Sequence, residues 1–355
     1  MLSVGGSGVV VNGPSTFTGG IGNSGTITAS GNGINVGGAG RFTGGIVNSA
    51  SGTITATGVG VGVLVGSTGG PGVYNVSNFS GGISNAGSIS SNSGTGIQIN
   101  GVSTFGSGIT NSGTISAGNG GVRVEQTVSF VGSIVNAAGA TISGATGIEI
   151  CDCVTSFLGG ITNAGTITAA FTGIFVNGVS VFGTVGAGGI SNSGLISASR
   201  ATAIAVNAST FIGGIANSGT ISAGGNGIWV GGSASFGYSV VLSTFSGGIT
   251  NSGTITAARN GILVGGSAFT FGLVTISNFG GGISNSGVIT ANRNGIWVGG
   301  SASGFLSTVI ISSFSGGISN SGTIQAHDVG IFVGGSATGV GASLTISTFS
   351  GGISN

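Results

Sequence analysis

The sequence of 355 residues contains no lysine, and charged residues amount to only 3% of the chain. Soluble globular domains carry about 25% charged residues. The formal net charge is +1 and the arginines are widely spaced, so no nucleic-acid partner is expected. Acid–base and triad chemistry needs clustered carboxylates or a histidine with partners. The scarcity of such residues argues against an enzyme.

Two short segments contain most of the acidic residues and the single histidine. Glu149 lies close to Asp152, and His327 directly precedes Asp328. Neither segment supplies enough ligands for a metal site, and the Asp-rich turns of calcium-binding repeats are missing. We expect no catalytic residue, no cofactor and no metal.

Long apolar runs are also missing. Without a run of about 18 apolar residues, no transmembrane helix and no membrane insertion of this segment are expected. The opening stretch "MLSVGGSGVVVNG" lacks the basic region of a signal peptide. The 83 glycines do not follow a strict Gly-X-Y repeat, which excludes collagen. The frequent Ile, Val and Thr residues argue against disorder.

Cysteine is rare, and the two thiols belong to Cys151 and Cys153. Two positions apart on a strand, their Cα atoms would lie about 6.6 Å from each other, near the outer limit for a disulfide. A lone C-x-C offers too few ligands for zinc. The pair is either structurally minor or forms a strained or intermolecular disulfide.

Repetition is the main feature of the chain. The pattern F-x-G-G-I-x-N-S-G-T-I-T-A, followed by a variable turn and G-I-x-V, recurs in short units of about 25 residues and long units of about 35. Repeats of this length indicate a solenoid. One phenylalanine marks each unit and predicts a column of stacked rings: Phe17, Phe42, Phe79, Phe105, Phe130, Phe157, Phe182, Phe211, Phe245, Phe279, Phe314 and Phe349.

Apolar and polar residues alternate through each unit. In the first unit, Ile21, Ile27 and Ala29 share one parity, and Thr26 and Thr28 share the other. A period of two predicts strands. One unit cannot bury its apolar face alone, but units stacked about 4.8 Å apart can. We predict an all-β fold: a single continuous parallel β-helix over residues 1–355, with about 11–12 coils of three short strands.

An asparagine lies on the inward parity in every unit. A buried amide is costly unless it is hydrogen-bonded, and stacked asparagines can bond to each other and to the turn backbone. The prediction is a structural ladder formed by Asn23, Asn48, Asn85, Asn111, Asn136, Asn163, Asn192, Asn217, Asn251, Asn285, Asn320 and Asn355.

The I-x-N-S-G-T-I-x-A pattern resembles the repeats of filamentous-haemagglutinin-type and autotransporter passenger proteins of Gram-negative bacteria. The resemblance covers essentially the whole chain. It implies a right-handed parallel β-helix, in keeping with the crossover rule, and a location outside the cell or on the bacterial cell surface. The resemblance does not identify a ligand.

Long units differ from short ones by residues inserted after the third strand. Residues 1–210 are mainly short units, and residues 211–355 are long units. Insertions such as "GGSASFGYSVVLSTF" and "GGSAFTFGLVTISNF" end in strand-like alternation, as does "GSTGGPGVYNVSNF" earlier in the chain. The insertions within residues 211–355 predict an added strand layer over the third face.

Large apolar residues occupy the outward position of G-I-x-V in the long units, where short units carry residues such as Asn35 and Gln98. Either the insertions cover this stripe, or the stripe is exposed and binds a sugar or a cell surface. The stripe in residues 211–355 consists of Trp229, Leu263, Trp297 and Phe332.

Four charged residues predict ion pairs between coils. Arg123 and Glu149 share a third-strand position in consecutive units, and Arg293 and Asp328 share an offset before G-I. Exposed pairs of this kind contribute about 0–1 kcal/mol.

The leading hypothesis is a non-enzymatic extracellular structural protein that forms a fibre or stalk by coil stacking, with adhesion to a cell surface or glycan as an added role. Its expected partner is a second copy of itself, stacked head to tail. The stretches "MLSVGGSGVVVNG" and "FSGGISN" would together rebuild most of a coil, and uncapped strand edges favour association.

Two alternatives stay open. The same ends suit a fragment of an autotransporter adhesin passenger. Outward T-x-T pairs also suit an ice-binding solenoid, although residues such as Leu195 and Val288 interrupt them. The intact pairs are Thr26/Thr28, Thr53/Thr55, Thr166/Thr168 and Thr254/Thr256.

Overall fold

The computed structural model describes residues 1–67, 76–151 and 153–355. These form two compact units, unit 1 (Met1–Ser180) and unit 2 (Val181–Asn355). The regular secondary structure of the described residues consists of strands, with no helix among them. Accordingly, that part of the chain offers no helical segment able to cross a membrane.

Each coil contributes strands to three sheets, which we name the first, second and third sheets. The first sheet takes the I-x-N strands, the second the T-I-x-A strands, and the third the G-I-x-V strands with those that end at the repeating Phe. Pairing is parallel and joins equivalent residues, as in Asn85 with Asn111 and Phe79 with Phe105. The predicted all-β fold and parallel β-helix are confirmed. The hand of the helix and its continuity over the whole chain stay predictions.

In unit 1 each sheet is a stack of short parallel strands, one above the other. The first sheet contains Ile21–Asn23, Ile46–Asn48, Ile83–Asn85, Ile109–Asn111, Ile134–Asn136 and Ile161–Asn163. The second contains Leu2–Val4, Thr26–Ala29, Thr53–Ala56, Ser88–Ser91, Thr114–Ala117, Thr141–Gly144 and Thr166–Ala169. The third contains Val9–Asn12, Thr16–Phe17, Ile34–Gly37, Ala39–Phe42, Val63–Gly66, Val76–Phe79, Ile97–Asn100, Val102–Phe105, Gly120–Glu125, Ser129–Phe130, Thr146–Cys151, Ser156–Phe157 and Ile174–Phe182, which starts in this unit.

Unit 2 has the same three sheets. The first contains Ile190–Asn192, Ile215–Asn217, Ile249–Asn251, Ile283–Asn285, Ile318–Asn320 and Ile353–Ser354. The second contains Leu195–Ala198, Thr220–Ala223, Thr254–Ala257, Val288–Ala291 and Thr323–Ala326. The third contains Ile204–Phe211, Ile228–Val230, Ser233–Ser235, Ser239–Phe245, Ile262–Phe269, Leu273–Phe279, Ile296–Ser303, Thr308–Phe314, Ile331–Thr338 and Ser343–Phe349.

The repeating Phe is the last residue of a third-sheet strand, and the Ile that follows it starts the first-sheet strand of the next coil. The two glycines between this Phe and the Ile form the corner. In unit 2, Gly281 and Gly282 have φ values of +83° and +66°, a region that L-residues with a side chain rarely adopt. A Cβ atom at Gly282 would also lie 2.5 Å from the carbonyl oxygen of Gly316 in the next coil. The Gly-Gly step therefore sets the corner and permits close stacking.

The insertions of unit 2 extend the third sheet as four arms. In each arm an outgoing strand such as Ile262–Phe269 leads to a turn, and a returning strand such as Leu273–Phe279 ends at the repeating Phe. Both strands pair in parallel with their equivalents in the neighbouring coils. The earlier insertion, "GSTGGPGVYNVSNF", falls largely on residues 68–75, which lie outside the described residues.

A small apolar cluster fills the inside of the arms. Its alanines come from the outgoing strands and its valines from the returning strands, so the two halves of each arm face each other. The cluster consists of Ala234, Val240, Ala268, Val274, Ala302 and Val309, with Ala342 and Leu344 packed against it.

Candidate functional site

The inward asparagines form hydrogen-bonded rows within each unit. In unit 1, Asn85 Nδ2 donates to Oδ1 of Asn111 at 2.8 Å, and Asn111 Nδ2 donates to Oδ1 of Asn136 at 2.8 Å. The same bond joins Asn23 to Asn48, Asn48 to Asn85 and Asn136 to Asn163. In unit 2 it joins Asn192, Asn217, Asn251, Asn285, Asn320 and Asn355, at 2.6–2.7 Å.

The same amides also donate hydrogen bonds to backbone carbonyl oxygens near the turn. Asn85 Nδ2 lies 3.2 Å from the carbonyl oxygen of Gly87 in its own turn and 3.1 Å from that of Thr114 in the next coil. The side chain is fully buried. A buried amide with this set of partners stabilises the turn between the first and second sheets.

A second row of asparagines lies in unit 2 before the third-sheet strands. Asn260 Nδ2 donates to Oδ1 of Asn226 at 2.9 Å, and Asn294 Nδ2 donates to Oδ1 of Asn260 at 3.0 Å. All three side chains are buried. The inward parity does not predict this row, but the N-G-I sequence that recurs before the strand is a signal for it.

The repeating phenylalanines stack as two continuous columns, one in each unit. Neighbouring ring centroids are 4.6–5.0 Å apart with planes within 11° of parallel. That distance matches the spacing of parallel strands. In unit 1 the column runs through Phe17, Phe42, Phe79, Phe105, Phe130 and Phe157, and in unit 2 through Phe182, Phe211, Phe245, Phe279, Phe314 and Phe349.

Charged residues cluster around Arg123 on the third sheet of unit 1. Arg123 Nε lies 3.4 Å from Oε2 of Glu149, its register partner, and 3.1 Å from Oε2 of Glu125. Gln98 Nε2 donates to Oε1 of Glu125, and Arg123 Nη2 donates to Sγ of Cys151 at 3.8 Å. Burial opposes the charge on Arg123, but the attraction of Glu149 and Glu125 outweighs it and leaves the pKa of the guanidinium raised.

Glu125 is a member of this cluster that the sequence analysis did not identify. It is buried, at 7% exposure, and lies two residues after Arg123 on the same face of the strand. A carboxylate so little exposed needs a charged or hydrogen-bonding partner. The i, i+2 spacing of Arg123 and Glu125 on one strand is the sequence signal that indicates this contact.

The second predicted ion pair is not formed. Asp328 stacks on Arg293 through the backbone, because its N–H donates to the carbonyl oxygen of Arg293 at 3.1 Å. Both side chains are exposed, and within the described part of the chain no ion pair of 4.0 Å or less joins them. Asp328 Oδ1 instead lies 2.9 Å from Nδ1 of His327. Exposed charges gain little from one fixed partner, which explains the difference.

The apolar stripe of unit 2 packs mainly along itself. Trp229 Nε1 donates to the carbonyl oxygen of Gly265 at 2.9 Å, in the following coil. Leu263 is buried at 5% exposure, while Trp297 stacks on Phe332 with ring centroids 5.9 Å apart. As far as the described residues go, none of the four stripe residues belongs to the apolar cluster of the arms. Cover by the insertions and ligand binding both stay predictions.

Cys151 is buried and Cys153 is exposed, and no disulfide joins these two described cysteines. Asp152 between them lies outside the described residues. Across residues 1–67, 76–151 and 153–355, no group of three or more His, Cys, Asp or Glu side chains could hold a metal ion.

Hydroxyl-bearing residues form two outward columns on the second sheet of unit 1. Thr26 pairs in register with Thr53, and Thr28 pairs with Thr55. Thr and Ser continue both columns as far as Thr166 and Thr168. In unit 2 the columns are interrupted by Leu195, Val288 and Gln325.

These features describe surfaces and stacked rows rather than a pocket with converging reactive groups. No protein-family model, no curated protein and no solved structure matches the chain.

Proposed function

We propose that this protein is a non-enzymatic structural element, which builds an extended stack of coils outside the cell or on a bacterial cell surface. The single observation that carries the proposal is the like-on-like register of the coils. Ile pairs with Ile, Asn with Asn and Phe with Phe through each unit. A coil with this property is complementary to any other coil of the same kind.

Self-complementary coils support assembly of copies, one upon another. A further coil on a stack would extend the buried Phe column, the Asn row and the backbone hydrogen bonds together. With only 3% charged residues, copies meet little electrostatic repulsion as they approach. The partner in this proposal is therefore a second copy of the chain.

The location rests on the resemblance of the I-x-N-S-G-T-I-x-A pattern to haemagglutinin-type and autotransporter passenger repeats. The same resemblance supports a second role for the protein. In this role the stack is part of an adhesin passenger and displays a surface that binds a glycan or a cell. The partly exposed rings of Trp297 and Phe332 favour that role, since aromatic faces stack on sugars.

Electron microscopy of the purified chain over a concentration series tests the assembly. We expect unbranched fibres with a repeat of about 4.8 Å along the axis in diffraction. Ile353→Lys places a charge at a first-sheet position that is 53% exposed and should shorten or abolish the fibres. Val185→Lys, at a side chain 93% exposed, is the matched control and should leave them unchanged. Particles of constant length at every concentration would contradict the proposal.

Ice binding is a second candidate, favoured by the two hydroxyl columns of unit 1. Regularly spaced Thr and Ser side chains on a parallel sheet can order water at a fixed repeat. Thermal hysteresis of the chain measures this activity, and Thr55→Lys should abolish it while Thr256→Lys, in unit 2, should not. Absence of thermal hysteresis in the unmodified chain would rule the candidate out.

A further inference from the structure

We propose that the turns of the four arms of unit 2 form a self-association surface, through which two copies of the chain bind side by side. The inference deepens the proposed function and rests on it, because side-by-side contact would bundle the stacks. It concerns a different surface from the one on which coils stack.

Exposed apolar side chains are concentrated at these turns. Their exposure ranges from 45% to 75%, whereas the apolar side chains a few residues away in the arm cluster are at most 9% exposed. We call the set the tip row: Phe236, Tyr238, Phe269, Phe271, Phe305, Leu306 and Val340.

The tip row is a connected surface. Successive turns are joined by backbone bonds from Phe236 N–H to the Thr270 carbonyl and from Phe271 N–H to the Phe305 carbonyl, both at 2.8 Å. Leu306 N–H donates to the carbonyl of Val340 at 2.9 Å. Two edge-to-face ring pairs add to these bonds, Phe236 with Phe269 and Phe271 with Phe305, at 5.8 and 5.3 Å. The rings are thus held in place before any partner binds.

Three members of the tip row have backbone conformations that bulky residues rarely adopt. The φ values are +53° for Phe236, +59° for Phe271 and +50° for Leu306. For a residue with a side chain this region costs about 1–2 kcal/mol, and Gly or Asn is the usual occupant. Exposed side chains gain little from burial in return. Folding of the single chain therefore does not explain these residues, whereas burial against a partner does.

The area and charge of the tip row suit a second copy. Seven side chains with this exposure present on the order of 700 Å² of apolar surface. The largest patch of a typical monomer is about 300–600 Å², and one partner of a stable complex contributes about 800 Å². Residues 231–246, 265–280, 299–315 and 334–350 contain no charged residue, so two identical surfaces can meet without repulsion. They also contain few of the amide and charged side chains with which proteins bind sugars.

The test is sedimentation equilibrium of the full chain carrying Ile353→Lys, a substitution intended to suppress coil stacking. We expect a monomer–dimer equilibrium. Adding Phe236→Asn, Phe271→Asn and Leu306→Asn should raise the dissociation constant more than tenfold. Asn tolerates the positive φ, so this triple variant should fold at least as well. The control, Val59→Ser with Val185→Ser, changes side chains 85% and 93% exposed elsewhere and should leave the constant unchanged.

Three results would overturn the inference. The first is an equal dissociation constant for the chain with and without the triple substitution. The second is a chain that stays monomeric up to about 100 μM, and the third is a monomer that binds phosphatidylcholine vesicles or a glycan through the tip row. Microscopy without Ile353→Lys separates the two proposals. Fibres that always appear singly would contradict the tip-row inference alone. Absence of fibres, with dimers that the triple variant abolishes, would contradict coil stacking alone.

Discussion

The Nδ2 atom of Asn217 lies 2.7 Å from the Oδ1 atom of Asn251, one coil further along unit 2. Asn251 in turn donates to Oδ1 of Asn285 at 2.7 Å. Each amide in the row is therefore a donor to one neighbour and an acceptor from the other, so the loss of one member affects both.

Replacing the middle member should destabilise the stack. Asn251→Ala leaves Asn217 without one acceptor and Asn285 without a donor, both in buried positions. We expect a loss of about 2–4 kcal/mol in the free energy of unfolding. Amide hydrogen exchange should accelerate most in the adjoining turns, because repeats contact only their neighbours. Asn292→Ala, at an exposed position, is the control, and an equal effect of the two changes would refute the role of the row.

Each ring of the Phe column should contribute more to the free energy of unfolding than an exposed ring does. Phe279 is fully buried and stacks between Phe245 and Phe314 at 4.7 and 4.8 Å. Phe279→Ala should lower the free energy of unfolding by about 3–5 kcal/mol, measured by urea titration. Phe269→Ala, at a ring 48% exposed, should cost less than about 1 kcal/mol. Similar urea midpoints for the two variants would contradict this ranking.

Alanine substitutions at two glycines near the corner, Gly282 and Gly280, should differ in their effect on stability. Gly282→Ala places a side chain at a φ of +66° and 2.5 Å from a carbonyl oxygen, so we expect a loss of at least about 2 kcal/mol. Gly280→Ala, two residues earlier, meets nothing nearer than 3.5 Å and should change stability by less than about 0.5 kcal/mol. Thermal unfolding of both variants checks the prediction, which fails if Gly280→Ala is the more damaging change.

Removal of Arg123 should have a pH-dependent effect. Because the pKa of the guanidinium is raised, its contribution to stability is fully present below the ordinary pKa of an arginine and is lost only as the pH rises above that range. Titration of Arg123 should therefore cause no change in the stability of the unmodified chain between pH 5 and 9. Arg123→Met leaves Glu125 and Glu149 as neighbouring carboxylates with 9% and 18% side-chain exposure, and should cost about 2–4 kcal/mol at pH 7.

The stability deficit of Arg123→Met should be smaller in acid than at neutral pH, because protonation of a carboxylate removes its repulsion of the other one. Urea titrations at pH 4 and pH 7 measure this change. Arg293→Met removes an exposed guanidinium that makes no ion pair with Asp328, and should have little effect at either pH. A deficit that is the same at both pH values would show that Arg123 acts through packing alone.

Most of the fold can be predicted from the repeating pattern, because coils stack only where each one matches the next. Parity alone places Asn85 inside and Thr53 outside, and the structure agrees. Parity could not place the corner between Phe and Ile, since two glycines with positive φ break the alternation. Parity could not predict the arms either, because the alternation in "GLVTISNF" does not show which residues the returning strand packs against.

The interactions that escaped prediction are those between side chains with a choice of partner. Arg123 has two carboxylates within reach, and only the inter-coil one was expected. Asp328 has both His327 and Arg293 nearby, and the exposed setting makes the choice energetically small. A repeat specifies which residues stack, but it specifies less well which of several polar neighbours a flexible side chain will contact.

The two asparagine rows of unit 2 have an electrical consequence. In the long row each amide donates towards the C-terminal coils, and in the row of Asn226, Asn260 and Asn294 each donates towards the N-terminal coils. Amide dipoles bonded in series add, so the two rows are opposed and their fields along the stack partly cancel. A coil added upside down would set like groups against each other, oxygen against oxygen in one row and Nδ2 against Nδ2 in the other, which gives a growing stack a direction.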